Sequence, residues 1–252
     1  MAEVLLDRTE RVAVITVHDP ERRNALTLEL SEQLVQAVAT CERDADVHAV
    51  VVTGAPPAFC AGGNLTELGE ADEDGLRRIY AGFLAVANCS LPTVAAVGGA
   101  AVGAGLNLAL ACDVRVAGER ARFDARFLQL GLHPGGGFTW MLQRLVGPQT
   151  ATAMTLFGQI LDADAAVRTG LAWSRVDGDH DQLVAAAVAL ASASAEAPRD
   201  LVLSMKQTMR STAVIDEHAV AVDTEIKPQA ASIGSPAFAE KLAALKSRIS
   251  KR

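Results

Sequence analysis

Two short apolar runs open the chain, Val4 to Leu6 and Val12 to Val17, separated by charged residues, and together they predict a β-hairpin. Leu30, Leu34, Val38 and Cys41 then recur at helical spacing and predict a helix over Leu28 to Arg43. Val47 to Thr53 is rich in β-branched residues, the pattern of a strand buried on both faces, and it stops at Gly54. A loop carries Phe59 to Leu65, a polar segment runs from Glu67 to Gly75, and a helix is expected from there to about Ala87. Thr93 to Val97 reads as the next buried strand. A glycine-rich turn, a helix from about Ala104 to Ala111 and a strand over Val114 to Ala117 follow. This alternation of strand, turn and helix predicts a layered α/β core.

From Gly147 onward strand signals fade and alanine-rich helical stretches dominate, with one short strand candidate around Ala172 to Val176. Ala197-Pro198 marks the expected boundary between a core, residues 1–196, and a helical C-terminal domain, residues 197–252. That domain is expected to hold helices over Leu201 to Arg210, near Val214 to Glu225, and from Pro236 to Arg252. One stretch imitates a membrane span, because Val94 to Cys112 is apolar apart from Asn107 and glycines. Gly98, Gly99, Gly103 and Gly105 would break a spanning helix into strand, turn and helix start, so buried core is expected and no membrane span.

Composition narrows the classes. Half of the 252 residues are hydrophobic and 21% are charged, which suits one large domain, or a domain with an appendage, and excludes a disordered chain. Aromatic residues make up only 4%, so the core must be built from Ala, Val and Leu. A net charge of −7 argues against a nucleic-acid partner. The four cysteines, Cys41, Cys60, Cys89 and Cys112, show no CxxC spacing and no histidine at a zinc-ligand interval, so free thiols and no metal site are expected. The first eleven residues contain no apolar signal-peptide region, and a cytoplasmic location is expected.

Two segments place glycine after a buried strand, Gly62-Gly63 and Gly98 to Gly105. Glycine lets the backbone approach a ligand and turn into a helix whose first N–H groups have no internal partner, and such donors suit an anionic oxygen. For any single glycine pair, tight strand-to-helix packing is the plainer reading. A dinucleotide site would need a third glycine where Leu108 stands, and neither a GxxxxGK[ST] loop nor a GxSxG elbow occurs.

Four spaced blocks carry a resemblance: Pro20 to Leu26 (PERRNAL), Phe59 to Leu65 (FCAGGNL), Ala96 to Asp113, and Leu130 to Gly137 (LGLHPGGG). In order and spacing they resemble the enoyl-CoA hydratase/isomerase, or crotonase, superfamily. The similarity continues through Arg144 to Gly147, Ala163 to Leu171 and Lys206. It implies a crotonase (ClpP-like) spiral of ββα repeats with a C-terminal helical trimerisation domain, assembled as a homotrimer or a dimer of trimers. It also implies acyl-CoA as partner, a coenzyme A thioester as substrate or ligand, and no further cofactor.

The resemblance places the family's two thioester-gripping backbone N–H groups at Gly63 and Ala104. It gives coenzyme A to Arg22 and Arg23 at its phosphates and to Ala25, Ala61 and Leu65 around its adenine. A solvated charge pair accounts for the arginines equally well. The family's two catalytic glutamates fall on Asn107 and Phe127, neither of which can carry a proton. His133 and Asp124 are the candidate substitutes, and a non-catalytic acyl-CoA carrier is the competing expectation. Asn64 is expected to prop its loop, and Cys60 and Cys112 to be buried and unreactive.

Overall fold

The computed structural model describes residues 2–249. The chain divides into two compact units, one ending at Ala195 and one beginning at Glu196. In the first unit, β1 (Glu3–Thr9) and β2 (Val12–His18) form the expected antiparallel hairpin, with Glu3 opposite His18 and Thr9 opposite Val12. Helix α1 (Leu28–Arg43) starts at Thr27, whose side chain accepts from Leu30 N, and buries Leu30, Leu34, Val38 and Cys41. Next come β3 (Ala49–Gly54), α2 (Leu65–Glu70), α3 (Glu73–Asn88), β4 (Thr93–Val97), β5 (Ala100–Val102) and α4 (Ala104–Ala111). They are followed by β6 (Val114–Gly118), β7 (Arg122–Asp124), α5 (Phe138–Leu156), β8 (Leu161–Asp162), α6 (Ala163–Arg168), β9 (Ser174–Val176) and α7 (His180–Ala195).

Six strands form one sheet in the order β1-β2-β3-β4-β6-β9, parallel from β2 onward, and β5-β7-β8 form a second, smaller sheet. The core follows the two side-chain periods. Alternate strand residues, Val12 and Val14, Ala49 and Val51, Val94 and Ala96, meet Leu183, Ala187, Ala191 and Ala195, spaced by four along α7. The opposite faces of these strands, including Ile15, Val50, Val52 and Ala95, are equally buried. Strands buried on both faces explain why the sequence reads as unbroken apolar runs.

The second unit is helical: α8 (Arg199–Thr212), α9 (His218–Ile233) and α10 (Pro236–Ile249). The sequence pattern places the middle helix near Val214 to Glu225. The observed α9 starts four residues later and continues through Pro228, and the expected end of the last helix lies outside the described residues. The span-like stretch Val94 to Cys112 is divided among β4, β5 and α4, and no helix among the described residues is long and apolar enough to cross a membrane.

Two polar devices hold the loops that matter for chemistry. Asn24, fully buried, accepts from Asp19 N at 2.9 Å, and its Nδ2 donates to Ala55 O at 2.7 Å and Ala58 O at 2.8 Å, with Phe59 O at 3.3 Å. It ties the loop before α1 to the loop after β3. The second device is Arg115, whose buried guanidinium donates to Cys112 O at 2.7 Å and Ala109 O at 3.3 Å, and through Nε to Leu171 O at 2.6 Å. A cation on these carbonyls neutralises the negative end of α4.

Replacing Asn24 by Ala would leave several buried carbonyls and one N–H unpaired. The expected destabilisation is about 3 kcal/mol, given roughly 1–3 kcal/mol for each buried polar group left without a partner. Urea unfolding of Asn24→Ala measures it, and a midpoint equal to the parent's would contradict the role given to this side chain.

Candidate functional site

The site begins with a short stretch of extended chain. Leu26 N donates to Gly62 O at 2.7 Å and Asn64 N donates to Leu26 O at 2.8 Å, so Leu26 and Gly63 form a parallel bridge. In such a bridge the flanking residues make the hydrogen bonds, and the N–H of Gly63 itself faces away from Leu26. On its other side this stretch runs along β5: Cys60 N donates to Ala100 O at 3.0 Å and Val102 N to Cys60 O at 3.0 Å.

Helix α4 starts beside it. Ala104 is its first residue, so its N–H has no intrahelical acceptor. A Cβ placed on Gly62 would lie 4.0 Å from Ala104 N, which brings the two segments side by side. Closer in, a Cβ on Gly105 would overlap Cys60 O, so only glycine lets α4 sit this near the loop. Among the described residues, no hydrogen bond engages the N–H of either Gly63 or Ala104.

Both line one cavity of about 490 Å³. Of the residues singled out in the sequence, Ala61, Gly63, Leu65, Ala104, Asn107, Phe127 and His133 border it. Asn107 donates through Nδ2 to Gly135 O at 2.9 Å, while its buried Oδ1 has no partner among the described residues. Phe127 is buried and packs edge-on against Phe138, ring centres 4.9 Å apart. The Nδ1 of His133 lies 2.7 Å from Pro134 O. A carbonyl can only accept, so Nδ1 carries a proton, and Nε2 is the ring nitrogen that makes no hydrogen bond among the described residues.

Asp124 is placed differently. It is buried, it does not border the cavity, and its carboxylate is held by Arg126 through Nε at 2.9 Å and through Nη2. That carboxylate raises the pKa of the Arg126 guanidinium, which does border the cavity. Arg22, Arg23 and Ala25 also lie outside the lining. Arg22 is exposed and 3.8 Å from Asp19, while Arg23 O accepts from Ala61 N at 3.0 Å and so fixes this segment beside the cavity wall. Asn64 caps α2, accepting from Thr66 N at 3.0 Å and Glu67 N at 3.2 Å. Burial pushes the Cys60 thiol up to about 12, leaving it no thiolate at neutral pH.

Sequence reasoning missed two polar lining residues, Tyr80 and Arg126. Burial raises the Tyr80 phenol above its usual value and keeps it a neutral donor. Leu65, Leu130 and Leu132 are exposed apolar side chains of the same lining. The arrangement offers two free backbone donors, an apolar wall and few groups that titrate near neutrality.

Residues 7–245 match the family model of enoyl-CoA hydratase/isomerase. The chain is 56% identical to a probable enoyl-CoA hydratase, EchA14, of Mycobacterium tuberculosis, over 97% of this chain and 98% of that one. Among solved structures, an enoyl-CoA hydratase from Bacillus anthracis superposes with a TM-score of 0.90 at 28% identity, covering 98% of this chain and 96% of the other. A probable enoyl-CoA hydratase/isomerase from Mycobacterium abscessus gives 0.88 at 31% identity, covering 97% and 96%. With a family match across nearly its whole length and a crotonase-type fold, the chain belongs to the enoyl-CoA hydratase/isomerase family.

Proposed function

We propose that this chain binds acyl-CoA thioesters with the thioester oxygen held between the N–H groups of Gly63 and Ala104, and that it hydrates enoyl groups slowly or not at all. The observation that carries the reading is the pair of unengaged backbone donors bordering one largely apolar cavity. Charge that builds on the thioester oxygen in an enolate would meet preorganised donors, one of them at the positive end of a helix. Such a donor is worth roughly 10²–10³ in rate where charge develops. Coenzyme A would leave the cavity along Ala61, Leu65 and the segment from Arg22 to Ala25, which the bond from Ala61 N to Arg23 O holds in place.

Hydration needs more than this grip. It adds water to one carbon and a proton to its neighbour, and each acid or base contributes roughly 10²–10⁴. At the positions where the family resemblance puts glutamates, Asn107 holds without titrating and Phe127 only packs. The second reading is an enzyme with a displaced base, favoured by one observation: the bond from His133 Nδ1 to Pro134 O leaves Nε2 unengaged in a residue that borders the cavity. Asp124, held by Arg126 and outside the lining, is set aside as a base.

Calorimetry with butyryl-CoA, run beside the absorbance of a conjugated enoyl thioester, separates these readings. Binding without loss of the conjugated absorbance is expected, and the double variant Asn107→Glu, Phe127→Glu is expected to gain hydration by at least a hundredfold. Brisk turnover by the parent protein that disappears in His133→Ala would establish the displaced base instead. Absence of any thioester binding would overturn both readings.

The C-terminal unit carries the family's expected role in assembly. Ile226, Ile233, Phe238 and Leu245 on α9 and α10 are exposed in the single chain. Light scattering is expected to give three or six chain masses, and a monomer at micromolar concentration would contradict it.

A further inference from the structure

Strand β7 ends at Asp124, whose carbonyl accepts from Gly103 N at 3.0 Å and so fixes the chain beside the start of α4. The next three residues make a tight turn: Phe127 N donates to Ala125 O at 2.8 Å across Arg126, whose φ is +57°. A three-residue turn with its middle residue in the left-handed region is strained for any residue that has a Cβ, and glycine would relieve it. The chain has arginine there. The turn buries Asp124 and Phe127 on either side and leaves Arg126 bordering the cavity.

The guanidinium is held by one of its edges. A planar guanidinium presents five N–H groups, with Nε and Nη2 sharing one edge and Nη1 and Nη2 another. Arg126 commits the first edge to Asp124 Oδ2, through Nε at 2.9 Å and through Nη2. Its Nη1 makes no hydrogen bond among the described residues. The Asp124 side chain is 5% exposed and that of Arg126 47%, so the acid is the buried support and the cation is the member a ligand can reach. Among the described residues of the lining, Arg126 is the one permanently charged side chain, no carboxylate accompanies it, and His133 is the other group able to carry a positive charge.

We infer that the free Nη1–Nη2 edge of Arg126 is a carboxylate-recognition group, and that the cavity selects acyl-CoA thioesters whose acyl chain carries a second, free carboxylate. The inference rests on the thioester reading proposed above and adds the class of acyl group. A carboxylate matches this edge with two parallel N–H···O bonds, and charge-assisted bonds of this kind are roughly twice as strong as neutral ones. Asp124 already fixes the plane of the guanidinium, so little side-chain freedom remains to be lost when the anion arrives. An acyl chain without a charge leaves the edge to water. Coenzyme A brings anions of its own, but one guanidinium with no second permanent cation in the lining balances a single carboxylate better than several phosphate charges.

The test is calorimetry of the full chain with malonyl-, succinyl-, glutaryl- and adipyl-CoA, each beside the saturated, uncharged acyl thioester of equal chain length, and with free coenzyme A. At one or more chain lengths the acidic thioester is expected to bind about tenfold tighter than its uncharged counterpart. Arg126→Gln is expected to bring that ratio close to one and to leave the affinities for the saturated thioesters and for coenzyme A unchanged. Arg126→Lys, a point charge without the planar edge, is expected to keep only part of the preference. Because Arg126→Gln leaves Asp124 buried without its cation, the double variant Asp124→Asn, Arg126→Gln removes both charges together and is expected to behave as the single variant does. Equal affinities within every pair, or a ratio unmoved in both Arg126→Gln and the double variant, overturns the inference. A loss of affinity for free coenzyme A as large as that for the acidic thioesters would assign the guanidinium to the phosphates and overturn it too. If the saturated thioesters bind while the preference is missing, only this inference fails. If no thioester binds at all, the thioester reading fails with it.

Discussion

A helix whose first turn is buried must find partners for N–H groups that its own backbone cannot satisfy. Helix α4 is in that position: every residue from Gly105 to Ala111 is buried, so water cannot routinely complete its first turn. At its far end Arg115 answers the mirror-image demand by donating to Ala109 O and Cys112 O. At its near end, Asp124 O accepts from Gly103 N and Gly103 O from Asn107 N, but Ala104, which borders the cavity, has no partner for its N–H among the described residues. The rest of the site follows from this imbalance. The neighbouring loop is pressed against α4 at Gly105, and its bridge with Leu26 turns the N–H of Gly63 away from that residue.

The same packing explains why a binding site persists where proton-transfer groups are scarce. The proposed grip is made of backbone, and it would depend on glycine at position 105, on Asn24 beneath the loop and on Arg115 behind the helix, none of which borders the cavity. The side chains that face the cavity are under no such constraint. In the proposed function, Asn107 and Phe127 limit what can be done to a bound thioester without disturbing how it would be held. Phe127 is packed on Phe138, so it contributes to the wall, and Asn107 braces Gly135 while keeping one acceptor free.

Much of this was legible in the sequence, and the exceptions have physical reasons. Helix α1 and strand β4 fall where periodicity and β-branching put them, because each is long enough or buried enough for its pattern to show. Strands β5, β7 and β8 are two or three residues long, too short for alternation to appear. Helix α2 hides in a polar segment because it buries nothing, and α9 runs through Pro228, which in a sequence argues for a break. In the site, the glycine-rich turns are visible in the sequence, and only the family resemblance singles out Gly63 and Ala104 within them. Tyr80 is not, since it sits in an ordinary amphipathic helix and meets Gly135 only through the fold. Arg126 reads as one more surface charge until Asp124 is seen to hold it at the cavity.

The central claim is that two main-chain donors converge on one thioester oxygen, and the carbonyl itself can report on it. Infrared difference spectra of butyryl-CoA labelled with carbon-13 at the thioester carbonyl, bound and free, isolate that stretch from the protein background. Two donors pulling on the oxygen weaken the double bond, so the bound stretch is expected at lower frequency than in water. A bound stretch at or above the aqueous frequency would mean an oxygen lodged against apolar surface, and would contradict the account.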